Sequence, residues 1–250
     1  MFTAPRSRQI ISLLQFFGKQ VILRSRMSRP YSGYFITLEG PEGSGKTSHL
    51  VNLVDYFRKL GLEIFSTREP GGTTIGEQIR TVIHDLRNTD MHPRTETLLY
   101  QAARAQFVEQ VAKPALEAGK IVISDRFFDS TLAYQGYGHR QDLNVLRSLI
   151  TYATAGLIPD LTILLDVDIE TGLNRKTGQG EWNRLDAYDL EFHRRMSGGY
   201  LEIAVADAGR WVVVDARQTK NEVFNDLVKT IEGRLTLAGF IERSRFGPER

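Results

Sequence analysis

From Tyr34 onward, short apolar runs alternate with stretches in which apolar residues return every three or four positions. Tyr34-Phe35-Ile36-Thr37-Leu38 is the first run and reads as a buried strand. A glycine-rich turn follows. Leu50, Val51, Leu53, Val54, Phe57 and Leu60 then recur at helical spacing, and Gly61 is a fitting stop. Leu62-Glu63-Ile64-Phe65-Ser66, Lys120-Ile121-Val122-Ile123-Ser124, Leu161-Thr162-Ile163-Leu164-Leu165 and Trp211-Val212-Val213-Val214 are the other strand candidates. Pro70-Gly71-Gly72 breaks the chain. The spacing predicts one helix over 75–86 and a long one over 96–118, with Pro114 as a kink near its end. Continuous apolar strands alternating with amphipathic helices imply an α/β fold, with a parallel sheet covered on both faces. The polar, glycine-rich stretch 176–180 reads as a mobile loop.

The chain has 250 residues, enough for one large α/β domain or two small ones. It has no cysteine, so disulfides, thiolate metal sites and cysteine nucleophiles are excluded. No run of about 18 apolar residues occurs, so no transmembrane helix is expected and no membrane partner. The net charge of +2 is unevenly spread. Residues 1–38 carry six basic groups and no acid, and residues 39–250 carry 26 basic and 30 acidic groups. A body with a net charge of −4 is not built to hold nucleic acid by bulk charge.

Residues 1–33 read as an N-terminal extension. Three readings stand: a dispensable arm or a start misplaced upstream of Met27, an organelle transit peptide, and a surface helix. Residues 34–236 form the expected domain, with a lid at about 174–186, and 237–250 form a tail. The expected location is the cytoplasm, with organelle targeting by residues 1–30 as the alternative.

Gly40-Pro41-Glu42-Gly43-Ser44-Gly45-Lys46-Thr47 matches G-x-x-x-x-G-K-[ST], with an apolar strand before it and an amphipathic helix after it. Glycines let consecutive backbone N–H groups curl round an anion, and the helix N-terminus adds partial positive charge. Lys46 would reach the β- and γ-phosphates of ATP, and the Thr47 hydroxyl would ligate Mg²⁺. GTPases, ATPases and small-molecule kinases share such a loop. No guanine-reading N-K-x-D is present, and the third strand ends in Asp125-Arg126 rather than Asp-Glu. A carboxylate near Mg²⁺, directly or through water, beside a guanidinium that grips a phosphate suits a kinase with a phosphorylated acceptor. The five histidines show no metal spacing.

Six ordered motifs carry a resemblance. They are the phosphate loop, Thr67-Arg68-Glu69-Pro70-Gly71-Gly72, Asp125-Arg126-Phe127, Ser130-Thr131-Leu132-Ala133-Tyr134-Gln135-Gly136, Pro159-Asp160-Leu161 and Asn183-Arg184-Leu185-Asp186. Together they resemble bacterial thymidylate kinase from about Tyr34 to about Ile231. The resemblance implies a P-loop kinase fold with a five-stranded parallel sheet and a mobile lid. It implies transfer of a phosphoryl group from ATP to dTMP with Mg²⁺, and usually a homodimer.

For this chain it implies that Tyr100 stacks on thymine and that Arg104, four residues on, donates to O4. An arginine cannot pair with the amino group of cytosine. Thr131 and Gln135 would contact the base edge and Tyr134 would lie at the sugar 2′ position, with Ser130 a further substrate-binding residue. Glu42 would accept from the 3′-hydroxyl. Glu69 and Arg80 would lie at the acceptor site and Arg126 would clamp its phosphate. In members whose phosphate loop lacks arginine, as here, a lid arginine supplies transition-state charge; Arg184 matches best and Arg175 is second. Catalysis would thus rest on Lys46, Asp125, Arg126 and Arg184. Two readings stay beside this one: a kinase for another nucleoside monophosphate or a deoxynucleoside, with Glu39 as the base, and a P-loop binding protein without turnover.

Overall fold

The structure is a computed structural model, and it describes residues 30–177 and 183–242. Most of the N-terminal extension, Met27 included, the lid centre at 178–182 and the end of the tail lie outside the described residues.

Five strands, β1 (Tyr34–Glu39), β2 (Ile64–Arg68), β3 (Ile121–Asp125), β4 (Leu161–Asp166) and β5 (Trp211–Asp215), form one sheet in the order β2-β3-β1-β4-β5. Every pair is parallel, as the unbroken apolar runs require. Nine α-helical segments connect and cover the strands among the described residues: α1 (Lys46–Lys59), α2 (Thr74–His84), α3 (Pro93–Phe107), α4 (Lys113–Glu117), α5 (Phe128–Thr131), α6 (Leu143–Thr154), α7 (Ile169–Thr177), α8 (Leu190–Ala206) and α9 (Lys220–Ala238). Alternate β1 residues face opposite sides. Tyr34, Ile36 and Leu38 join a core with α1 and α9, whereas Phe35 packs with Phe107, Phe127 and Leu146. A third cluster fills the space between β4, β5 and α8.

The structure departs from the expected elements at four places. β2 starts two residues late, because Leu62 still closes α1: its N–H bonds Phe57 O while Gly61, at φ 82°, bonds Arg58 O. The long helix starts at Pro93 and contains a π turn at Val108–Ala112 just before Pro114. That wider turn lets the helix continue past a residue with no N–H to give. A second π turn, Leu132–Gly138, extends α5 and was not legible in the periodicity. The expected boundary at 236 falls inside α9, which runs to Ala238 before Ile241 returns to the core.

The outgoing connections of β1 and β3 leave to opposite sides, and these two strands are neighbours. A crevice opens beyond their carboxyl ends, which is where ligands bind in such sheets. Gly40, Glu69 and Arg126 follow the ends of β1, β2 and β3 and so meet there.

Candidate active site

The phosphate loop leaves β1 and enters α1 through Gly45, at φ 92°. Here α1 differs from other helices of the chain. Side chains cap the N-termini of α2 (Thr73), α3 (His92), α6 (Asp142), α8 (Asp189) and α9 (Thr219). The N-cap of α1 contributes no side-chain bond, and its first turn holds no acid. Its orphan N–H groups are left for an external anion. Gly43 packs backbone to backbone on α7: a Cβ there would lie 1.9 Å from Gly172 O. Lys46 is buried, and its ammonium donates to Gly40 O at 3.0 Å, Pro41 O at 2.8 Å and Ser44 Oγ at 3.2 Å. Burial, with Arg126 nearby, lowers it to about 8.

Thr47 Oγ1 donates to Asp125 Oδ2 at 2.6 Å. A hydroxyl and a carboxylate at the mouth of the loop are the hard oxygen donors that Mg²⁺ takes, and they fit it. No cluster of three or more His, Asp or Glu that could hold a metal occurs among the described residues.

Arg126 joins this loop to the acceptor side. Its backbone is left-handed, at φ 72°, and its N–H bonds Leu38 O. Its Nη1 donates to Gly40 O (3.0 Å), Ser130 Oγ (3.2 Å) and Tyr200 OH (3.1 Å). Its Nη2 donates to Glu42 Oε2 (2.6 Å) and Tyr134 OH (2.9 Å), and the guanidinium lies over the Tyr134 ring. Burial works to raise the Glu42 carboxyl, but Arg126 and then Lys46 hold it at about 2. Glu39 braces the assembly from below. It accepts from Phe127 N at 2.8 Å, Ser130 Oγ at 2.6 Å and Tyr200 OH at 2.9 Å. Burial, and then the nearby Asp129, raise its carboxyl to about 7.

Tyr100, half-buried on α3, has Glu96, Arg126, Glu42 and Arg184 as the charges acting on its phenol. It therefore stands between the phosphate side and the lid. Arg104 is 1% exposed. Its Nε donates to Glu69 Oε2 at 2.7 Å, its Nη1 to Gln101 Oε1 at 3.2 Å and Thr131 Oγ1 at 2.9 Å, and its Nη2 to Phe127 O at 3.1 Å. Four of its five N–H groups are thus engaged. Burial raises Glu69 to about 7 against the pull of Arg104, and Glu69 Oε1 is buried without a partner. The Glu69–Pro70 peptide is cis, and Arg80 donates to Pro70 O at 3.0 Å.

The lid arginine differs most from expectation. Arg184 is buried, and all three of its nitrogens are engaged away from the phosphate loop. Nε donates to Ile83 O at 2.8 Å, Nη1 to Tyr188 OH at 2.6 Å and Nη2 to Glu96 in a very short ion pair. This conformation gives it the part of a latch, since a buried guanidinium goes to the nearest carboxylate and helix-end carbonyl. Arg175 donates to Ala216 O at 3.0 Å, in the turn after β5. Lys176, which the motifs did not single out, pairs with Asp186 at 3.6 Å and helps hold Glu42 ionised.

Glu96 and Tyr200 are the other residues missed. Glu96 carried a signal: Glu96, Tyr100 and Arg104 are spaced by four and share one face of α3. Tyr200 carried none, being one aromatic in an amphipathic helix.

A family model described as "Thymidylate kinase" matches residues 38–227. Thymidylate kinase of Roseiflexus sp. (strain RS-1) is 48% identical over 197 residues, covering 74% of this chain and 87% of the relative. That of Exiguobacterium sp. (strain ATCC BAA-1283 / AT1b) is 45% identical over 208 residues, covering 83% and 98%. The crystal structure of thymidylate kinase from Ehrlichia chaffeensis superposes with a TM-score of 0.67 at 31% identity, covering 80% of this chain and 98% of that one.

Proposed function

We propose, from the premise that this chain belongs to the thymidylate kinase family, that it transfers the γ-phosphoryl group of ATP to dTMP and releases ADP and dTDP. One observation carries this reading. Arg126 links the phosphate loop to the acceptor side, touching Gly40 O and Glu42 of the loop and Tyr134 OH of the neighbouring π turn.

A phosphate oxygen of dTMP attacks the γ-phosphorus in line. The bond from that phosphorus to the β,γ-bridging oxygen breaks, and ADP leaves with the electron pair. The acceptor is already anionic near neutral pH, so no strong base is required. Repulsion between two anions is the obstacle, and positioned cations lower it. The uncapped start of α1 and Lys46 take the β- and γ-phosphates. Arg126 takes the acceptor phosphate, with Arg80 nearby. Thr47 and Asp125 would hold Mg²⁺, directly or through water, and the ion would neutralise charge on the phosphate oxygens. Tyr100 stacks on the base, Tyr134 packs at the sugar 2′ position and Glu42 accepts from the 3′-hydroxyl. Ser130, Thr131, Gln135, Arg104 and Glu69 complete the acceptor pocket. Of the lid cations, Arg184 reaches the transferring group only when its pair with Glu96 opens. Lys176 is likewise paired with a buried carboxylate, Asp186, whereas Arg175 is held only by the carbonyl of Ala216.

A deoxynucleoside kinase would need a base for the acceptor hydroxyl. Glu39 does not serve, because it is fully buried and both of its oxygens are engaged. A homodimer is part of this proposal. Leu98 of α3 and Val145 and Tyr152 of α6 are exposed apolar residues on helices that pack together, and they offer a surface for it.

The deciding assay is ADP release over thymidine, dTMP, dUMP, dCMP and dGMP. Turnover is expected to be fastest with dTMP. Turnover with thymidine but not dTMP would replace this reading by a nucleoside kinase, and no turnover with any of them would leave a binding protein.

A further inference from the structure

Glu96 is fully buried in the first turn of α3, yet it gathers donors from two other parts of the chain, 135–139 and 184–188. Its Oε1 accepts from Gln135 Nε2 at 2.8 Å and from His139 Nε2 at 3.2 Å. Its Oε2 accepts from Tyr188 OH at 2.8 Å and from Arg184. Burial works to raise its carboxyl, but His139 and Arg184 hold it at about 2, so it is ionised at any working pH.

An ionised carboxylate only accepts hydrogen bonds. The amide of Gln135, free to turn, could present either its oxygen or its NH₂ to a ligand. Against Glu96 it has one choice, because the NH₂ must face the carboxylate. Its carbonyl Oε1 then remains for the pocket, and among the described residues no donor is bonded to it. Arg104, which can only donate, retains one Nη2 hydrogen after its internal bonds. A donor beside an acceptor complements the O4 and N3–H of thymine. It opposes the amino group and bare N3 of cytosine.

We infer that Glu96, without touching substrate, is the positioning residue that sets thymine against cytosine, by locking the Gln135 amide with its carbonyl toward the base. The inference rests on the dTMP kinase reading above. The same carboxylate also anchors the lid through Arg184 and Tyr188, so base reading and lid docking share one buried group.

The test compares kcat/KM for dTMP and dCMP in the unaltered enzyme, in Glu96→Gln and in the exchange Glu96→Gln with Gln135→Glu. In Glu96→Gln either amide can turn, and the dTMP-to-dCMP ratio is expected to fall at least about tenfold, since mispaired buried polar groups dominate such discrimination. In the exchange, position 135 is again acceptor-only, and the ratio should recover. A merely structural role would lower both substrates alike and would not be rescued. An unchanged ratio in Glu96→Gln, or no recovery in the exchange, overturns the inference.

Thermal melts and ATP titration check that each variant is folded. Should Glu96→Gln not fold, the unaltered enzyme decides with N3-methyl-dTMP. It should bind at least about tenfold more weakly than dTMP, and equal binding overturns the inference. If the unaltered chain shows no turnover of dTMP, the kinase reading fails instead, and the ratio of dTMP to dCMP affinities across the same variants still decides the role of Glu96.

Discussion

The phosphate side and the base side of the crevice are built on opposite plans. The phosphate side is eight consecutive residues with an uncapped helix start, and its one lysine bonds back onto the loop's own carbonyls. The base side draws Glu69, Glu96, Arg104, Gln135 and Arg184 from four segments, Glu96 and Arg104 sharing α3, and it rests on buried side chains bonded in pairs. The first plan tolerates change around it because its geometry is local. The second is a set of buried contacts in which removing one partner strands another in a dry interior.

Substitutions can break this comparison at either end. The largest expected loss is on the phosphate side. Lys46→Ala should lower kcat by about 10³-fold or more while the protein stays folded, because the lysine serves charge that develops during transfer. Steady-state kinetics beside a melting curve checks it. Near-normal dTDP formation would remove the loop from the mechanism.

Next comes Arg184→Ala, which leaves Glu96 buried with only neutral donors and His139. The expected cost is about 3 kcal/mol of stability, a drop of several degrees in Tm, with a raised KM for dTMP. If Tm is unchanged and kcat alone collapses, Arg184 leaves its latch during turnover and acts on the transferring phosphoryl.

A smaller effect is read by pH, and it sets Glu39 apart from carboxylates of both sides. Burial raises Glu39 from 4.5 to about 7, so its folded-state proton contributes stability below about pH 4.5, which is lost as pH rises through 7. Glu39→Gln has no such proton to lose. Its Tm should therefore fall less than that of the unaltered protein between pH 5 and pH 8. Glu42 and Glu96, both held at about 2, act in the opposite sense: their contribution is present above pH 4.5 and is lost as pH falls toward 2. Equal Tm slopes for the two proteins between pH 5 and 8 would show that Glu39 does not titrate there.

The smallest effect is a control far from both sides. Thr219 and Glu222 form a reciprocal cap on α9. Thr219→Ala should cost about 1 kcal/mol without changing kcat, and calorimetry together with the assay checks it.

Much of the fold was legible in the chain. The four later strands and β1 were expected from their apolar runs, and all five pair in parallel; β3 moved by one residue and β2 by two, the latter because Leu62 was needed to finish α1. The phosphate loop was legible because its chemistry is written in adjacent residues whose dihedrals depend on glycine. The π turns at Val108–Ala112 and Leu132–Gly138 were not, since one inserted residue per turn leaves the apolar pattern nearly unchanged.

The amino-acid order by itself determined the strands, the anion cradle and the motifs that mark the family, because each depends on residues near one another along the chain. Tertiary structure alone decided that Arg184 faces Glu96, that Glu39 braces Ser130 and Tyr200, and that Gln135 turns its nitrogen inward. The physical reason is that a buried charge or amide takes its orientation from whichever partners the fold delivers. Those partners lie 39 to 161 positions away, where no spacing rule reaches.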